Sequence, residues 1–143
     1  MKIKIKVIGI CNSKKMDFNY DGFDLNNWTK KDLENGELVN EIKFFEKAKE
    51  MNLRNSVFVD ITANESVALT YPNYLRENIA VVACNKIACS GELEYYNKLK
   101  NLSKKYNTPL LFETNVGAGL PVIDTLNHLS LIHISEPTRR YSI

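Results

Sequence analysis

Short β-branched runs alternate along the chain with longer segments of helical period. Ile3, Ile5, Val7, Ile8 and Ile10 form the first run, which breaks at Cys11-Asn12-Ser13 and predicts a strand over Lys2 to Ile10. Met16 to Leu38 is polar and aromatic, with Asp21-Gly22 and Asn35-Gly36 as turn signals. Trp28 is expected to anchor this excursion by burying its ring rather than by meeting a ligand. From Glu37 to Met51 the apolar positions Leu38, Val39, Ile42, Phe44, Phe45, Ala48 and Met51 fall mostly on one helical face. Ser56 to Ile61 predicts a second strand, apolar enough for a sheet covered on both faces. Asn64 to Arg76 reads as a helix that Pro72 kinks or restarts. Ile79 to Ala83 is a third strand. Ser90 then caps a helix that runs through Leu93 and Leu99 to about Tyr106. Leu110 to Phe112 is a fourth strand, and Pro121 to about His128 begins another helix. Strands alternating with helices argue for an α/β fold with a parallel sheet. There is no internal repeat and no interdomain linker.

Composition narrows the picture by exclusion. The 143 residues suffice for one domain with a core. A net charge of +2, with lysines spread over several segments, gives no case for nucleic acid or a membrane surface. No apolar run approaches the ~20 residues of a membrane span. The alternating start MKIKIKVIGI is unlike a secretory signal. Cys11, Cys84 and Cys89 fit no zinc spacing and leave one thiol over in any disulfide scheme; reduced thiols in a cytoplasmic protein are the simplest reading. His128 and His133 have no acidic or cysteine partners at metal spacing.

In an open α/β sheet, ligands bind beyond the carboxyl ends of the strands. Asn12-Ser13-Lys14-Lys15 follows the first strand, and Asp60, Thr62 and Asn64 close the second. Asn85-Lys86 follows the third, and Glu113-Thr114-Asn115-Val116-Gly117-Ala118-Gly119-Leu120-Pro121 the fourth. Each has a plainer reading. Thr62 and Asn64 could cap the next helix, Lys86 could be a solvated lysine, Ser13-Lys14 an ordinary turn, and Glu113 a backbone tether. Their weight lies in the shared edge. Gly9 is not followed by G-x-G-x-x-G, so the first strand does not open a dinucleotide-binding unit. The glycines of the fourth loop also miss that spacing.

The runs NSVFVDITANESV, VVACNKIACSGELEYYNKLK and LLFETNVGAGLPVIDTL resemble homoserine dehydrogenase. The upstream DGFDLNNW is most similar to the form fused behind an aspartate kinase, the bifunctional aspartokinase–homoserine dehydrogenase. The resemblance spans roughly residues 2 to 128. It implies NAD(P)-dependent interconversion of L-homoserine and L-aspartate 4-semialdehyde, on the route to threonine and methionine. It implies a partial Rossmann-type NAD(P)-binding domain over residues 1–128, with the first strand, its glycine loop and the first helix upstream of Met1. Thr62 matches a cofactor-contacting position, and Lys86 a lysine that reaches the cofactor and active site. The family usually has proline where Cys84 stands. Ser13 and Lys14 fall where such domains meet the adenosine ribose; without an acidic residue there, they lean towards NADP over NAD. Glu113, Val116, Ala118 and Leu120 match a sodium ion site built mainly of backbone carbonyls, oxygen donors suited to a hard cation. The family's catalytic lysine and substrate-holding acids lie in a downstream part, so no catalytic residue is assigned. The expected partner is a small-molecule substrate, and the parent is a cytoplasmic homo-oligomer. Leu129 to Ile143 departs from the family; LSLIHISEPTR resembles a translated sequencing adapter and is taken as non-native. The fragment alone is expected to be inactive, with an uncovered apolar edge or face. The competing reading is a stand-alone α/β ligand-binding or regulatory module without catalysis.

Overall fold

Two three-stranded sheets organise the chain in the computed structural model, which describes residues 4–29, 33–115, 120, 122–123 and 125–126. The first sheet is antiparallel, in the order β1 (Gly9–Cys11), β2 (Lys15–Phe18), β3 (Glu37–Leu38). The strand expected over Lys2 to Ile10 is thus much shorter, and it lies outside the parallel sheet. Residues 4–8 are not strand, and residues 1–3 lie outside the described part. The carbonyls of Val7 and Ile8 accept the N–H groups of Phe23 (2.9 Å) and Asn19 (2.8 Å). A loop therefore satisfies the backbone that a neighbouring strand would have taken.

The Asn12 side chain turns the chain back. Its Oδ1 accepts from the N–H of Lys14 (2.8 Å) and of Lys15 (2.7 Å). This local bond favours a turn over continued extension. It lays Met16 opposite Cys11, so the polar excursion contains strands that its pattern did not announce. Trp28 is half-buried.

Asn40 starts the first helix, α1 (Glu41–Met51), by accepting from the Lys43 N–H at 2.9 Å. The expected start at Glu37 is therefore early by four residues, because Glu37 and Leu38 pair with β2. Phe44 sits between the sheets, its ring centroid 4.7 Å from Phe18 and 6.3 Å from Phe58.

The second sheet is parallel, in the order β4 (Val57–Asp60), β5 (Ala80–Ala83), β6 (Leu110–Leu111). Between β4 and β5 the helix divides into α2 (Glu65–Ala68) and α3 (Tyr71–Arg76), with Pro72 in the opening turn of α3, as its missing N–H permits. Between β5 and β6 run α4 (Ile87–Ser90) and α5 (Leu93–Tyr106). Ser90 is not the cap of α5. It closes α4, its hydroxyl donating to the Lys86 carbonyl at 2.8 Å, and α5 begins after Glu92 without a side-chain cap. Residues 122–123 and 125–126 are helical, within the stretch expected to be a helix after Pro121. The expected tail from Leu129 lies outside the described residues.

Helices α3 and α5 cover one face of this sheet. Phe58 stacks on Tyr74 of α3 at 4.1 Å, and Tyr71, Leu75, Val81 and Leu99 are fully buried between the layers. The register puts Val59, Val82 and Leu111 side by side on the other face. There Val57, Val59 and Leu111 are each more than half exposed, at 54%, 55% and 56%. The expectation of a sheet covered on both faces is corrected here. The run SVFVDI carries the apolar content of a doubly covered strand, and helices pack on only one side of it among the described residues.

Candidate functional site

A line of hydrogen bonds crosses the carboxyl edge of the strands. The Lys14 carbonyl, in the β1–β2 turn, accepts the Val39 N–H at 3.0 Å, which binds the turn to the entry of α1. Glu41, in the first turn of α1, accepts the Ser66 hydroxyl of α2 at 2.7 Å. The Asn64 carbonyl, at the cap of α2, accepts Asn85 Nδ2 at 2.9 Å. The Asn85 carbonyl, beyond β5, accepts Asn115 Nδ2 at 3.2 Å. The segments that follow β1, β4, β5 and β6 are therefore joined along one edge, as their placement at strand ends led us to expect.

Beneath this edge lies a buried polar cluster centred on Asp60, which is 1% exposed. Its Oδ1 accepts the Thr62 N–H at 2.8 Å. Its Oδ2 accepts the Tyr71 hydroxyl at 2.6 Å and Asn85 Nδ2 at 3.0 Å. Three donors thus converge on one acceptor-only carboxylate, which removes most of the penalty for burying it. Burial, and then the Asp60 carboxylate, push the Tyr71 hydroxyl far above the ordinary phenol range, so it stays a donor. The Cys11 thiol is likewise raised, first by desolvation and then by the carboxylates of Asp60 and Glu41. Burial raises the Cys89 thiol, while a contact with the Asn115 side chain lowers it less strongly. The Oδ1 atom of Asn115 is buried and has no hydrogen-bond partner among the described residues.

Above the cluster, the sequence-predicted residues face solvent. Ser13, Lys14, Thr62 and Lys86 are all exposed. Thr62 Oγ1 accepts the Asn64 N–H at 3.2 Å, and Asn64 Oδ1 caps α2 by accepting from the Ser66 N–H at 2.8 Å. Lys86 occupies the position before α4, with its backbone already helical. Glu113 is half-buried, and its Oε1 accepts the Ile123 N–H at 2.9 Å, so its side chain tethers the chain beyond the glycine loop. Leu120 is exposed, and its carbonyl accepts the Val122 N–H at 2.9 Å. Val116 and Ala118 lie outside the described residues. Tyr71 is the member of the site that pattern reading passed over. The signal available was Asp60 itself, since a carboxylate ending an apolar strand must find donors on a neighbouring element.

A cavity lies elsewhere. A groove of about 600 Å³ opens at the amino ends of the strands, lined among others by Asn52, Arg54, Asn55, Asn78 and Asn107. Those asparagines all take left-handed φ and turn the chain from helices or loops into strands. The groove is thus what the return connections of a parallel sheet leave between them. Its lining includes Arg54, Glu77, Ser56 and Thr108, and it lies at the opposite end of the parallel strands from Thr62 and Lys86. Among the described residues no cluster of three His, Cys, Asp or Glu could hold a metal ion, and no helix is long and apolar enough to cross a membrane.

The chain is 42% identical over 129 residues to a bifunctional aspartokinase/homoserine dehydrogenase of Arabidopsis thaliana, a match covering 90% of this chain and 14% of that protein. It is 41% identical over 128 residues to the bifunctional aspartokinase/homoserine dehydrogenase of Haemophilus influenzae, covering 89% and 16%. A homoserine dehydrogenase of Schizosaccharomyces pombe is 39% identical over 74 residues, which is 52% of this chain and 20% of that protein. The fold matches a crystal structure of a Candida auris protein of unknown function, with a TM-score of 0.73 and 32% identity over 89% of this chain and 36% of that one. The chain spans only a small part of each of these relatives. The family model described as "Homoserine dehydrogenase, NAD binding domain" matches residues 1–113, and the chain belongs to that family through this domain.

Proposed function

We propose that this chain is the nucleotide-holding part of an NAD(P)-dependent homoserine dehydrogenase, an oxidoreductase that takes L-homoserine to L-aspartate 4-semialdehyde and back. The observation that carries the reading is the family match over residues 1–113, within which the exposed Ser13, Lys14, Thr62 and Lys86 share one edge. The edge suits an anionic dinucleotide, since it offers two hydroxyls and two ammonium groups at the carboxyl ends of the strands. The bound nicotinamide would supply the hydride chemistry, and the protein binding and orientation. Ser13 and Lys14 would hold the ribose end, and their hydroxyl and ammonium suit a 2′-phosphate, which favours NADP over NAD. Thr62 and Lys86 would hold the nicotinamide end. The general acid–base group belongs to another part of the parent protein.

The Glu113 to Leu120 loop would carry a sodium ion. The Leu120 carbonyl that accepts the Val122 N–H keeps a second lone pair for a cation, which is consistent with this role. The remaining carbonyls would come from Glu113, Val116 and Ala118. Fusion to an aspartate kinase, homo-oligomeric assembly, a cytoplasmic location and a place in threonine and methionine synthesis follow the same family reading. So do a domain limit near residue 128 and a non-native tail at residues 129–143.

The test is L-homoserine-dependent reduction of NADP and of NAD by the purified full-length gene product. The expected result is turnover with both substrates present and with neither alone. No reduction, in a preparation that binds the dinucleotide, would overturn the assignment.

A further inference from the structure

The turn that carries Lys86 is held more tightly than its exposure suggests. Asn85 is 1% exposed, and both ends of its amide are committed. Nδ2 donates to Asp60 Oδ2 at 3.0 Å and to the Asn64 carbonyl at 2.9 Å, while Oδ1 accepts the Ile87 N–H at 3.1 Å. Its backbone carbonyl accepts Asn115 Nδ2. On the other side, the Lys86 carbonyl accepts the N–H groups of Cys89 (3.0 Å) and Ser90 (2.9 Å) and the Ser90 hydroxyl. The Lys86 backbone is thereby clamped while its side chain stays exposed.

Behind Asn85 stands the buried pair Asp60 and Tyr71, bonded at 2.6 Å. An apolar pair would fill this volume without desolvating a carboxylate and a phenol. Of the four buried polar residues among those described, Asp60, Asn85 and Asn115 belong to this one cluster, and Thr108 stands apart. Polar groups are concentrated in the core where they converge on Asn85, next to an exposed lysine.

We propose that Asp60 and Tyr71 are positioning residues for Lys86, acting through Asn85. This rests on the reading that Lys86 reaches the cofactor. A lysine carries its charge on a long flexible stem, so the placement of its ammonium depends on a fixed root. Tyr71 fixes the carboxylate, the carboxylate fixes the Asn85 amide, and the amide fixes the backbone from which Lys86 projects.

A double-mutant cycle in the full-length dehydrogenase tests this. Tyr71→Phe removes one hydroxyl and keeps the ring. It is expected to lower kcat/KM about tenfold, the scale of a small misplacement at a reacting centre. In a Lys86→Ala background it is expected to cost less than about twofold, because the lysine it positions is gone. Leu99→Val, in the same core without a polar contact, is the control and is expected to lower thermal stability with kcat/KM unchanged. If Tyr71→Phe does not fold, Asn115→Ala releases Asn85 from the far side and enters the same cycle. Equal losses in both backgrounds would overturn the proposal, as would an unaffected Tyr71→Phe or an unaffected Lys86→Ala. In each of those cases an active wild type leaves the dehydrogenase assignment standing. A wild type that turns over no homoserine overturns the assignment and the positioning role together.

Discussion

Replacing Asp60 by asparagine changes almost no volume and asks whether the buried carboxylate holds the carboxyl edge together. Asp60 accepts from the Thr62 N–H, the Tyr71 hydroxyl and Asn85 Nδ2. Asparagine keeps one acceptor oxygen and brings an NH₂. With its oxygen towards Tyr71 and Asn85, the NH₂ faces the Thr62 N–H. Turned over, it faces Asn85 Nδ2, which cannot flip without abandoning the Ile87 N–H. Either way a donor meets a donor, and a hydrogen bond to a charged group is lost. Such a loss, with one group left unpaired, costs about 2–4 kcal/mol. That energy should appear locally, because the Asp60 backbone carbonyl also accepts the Cys84 N–H at 2.8 Å. Amide hydrogen exchange reads it directly. The Val82 and Cys84 amides of Asp60→Asn are expected to exchange roughly 30 to 1000 times faster than wild type, the same energy at 1.36 kcal/mol per decade. The N–H groups of α5 beyond Leu99 should change far less. Protection of Val82 and Cys84 within about threefold of wild type would refute the carboxylate's structural role.

Three further outcomes follow from other parts of the structure. Hydrogen bonds from Lys43 and Lys47 depress Glu37 to about 2, below its ordinary 4.5, so the stabilisation it gives the β3–α1 junction is present above the unfolded value and is lost as pH falls through about 2. Exchange at β3 and the start of α1 should rise across that acid window in wild type and lose this pH dependence in Glu37→Gln; identical profiles would contradict the pairing. A Cβ on Gly36 would stand 2.5 Å from the Met16 carbonyl oxygen, a backbone atom, so Gly36→Ala should destabilise the first sheet by about 1–3 kcal/mol, and unchanged exchange at β2 would count against the close approach. Val59→Thr with Leu111→Thr on the bare face should reduce self-association of the 143-residue chain in light scattering at little cost in β4 and β5 protection, whereas loss of that protection would mean the face is covered.

The second sheet was legible in the sequence and the first was not, for a physical reason. Val57–Asp60 and Ala80–Ala83 are apolar runs flanked by helical period, and parallel strands write their burial into their own composition. The helix restart at Pro72 needed only a missing N–H. The β1–β2 hairpin depends instead on the two N–H groups that the Asn12 side chain accepts and on pairing with polar residues such as Asp17, which no local run of apolar residues reports. Ser90 illustrates the same limit, since a hydroxyl can cap the next helix or bond back to Lys86, and the spacing permits both. For the site, the strand-end rule picked out Ser13, Lys14, Thr62 and Lys86, all of which are exposed. Tyr71 escaped because an aromatic residue at a helix start reads as core, and its hydroxyl partner lies on the preceding strand.

We propose that the carboxyl edge, and not the groove at the amino ends, receives the dinucleotide. Hydrogen-exchange mass spectrometry of the full-length protein with and without NADP separates the two. Slower exchange on binding is expected in peptides that contain Ser13 and Lys14, Thr62, and Asn85 and Lys86, with peptides around Asn52, Asn78 and Asn107 unchanged. Protection confined to the Asn52, Asn78 and Asn107 peptides would contradict it.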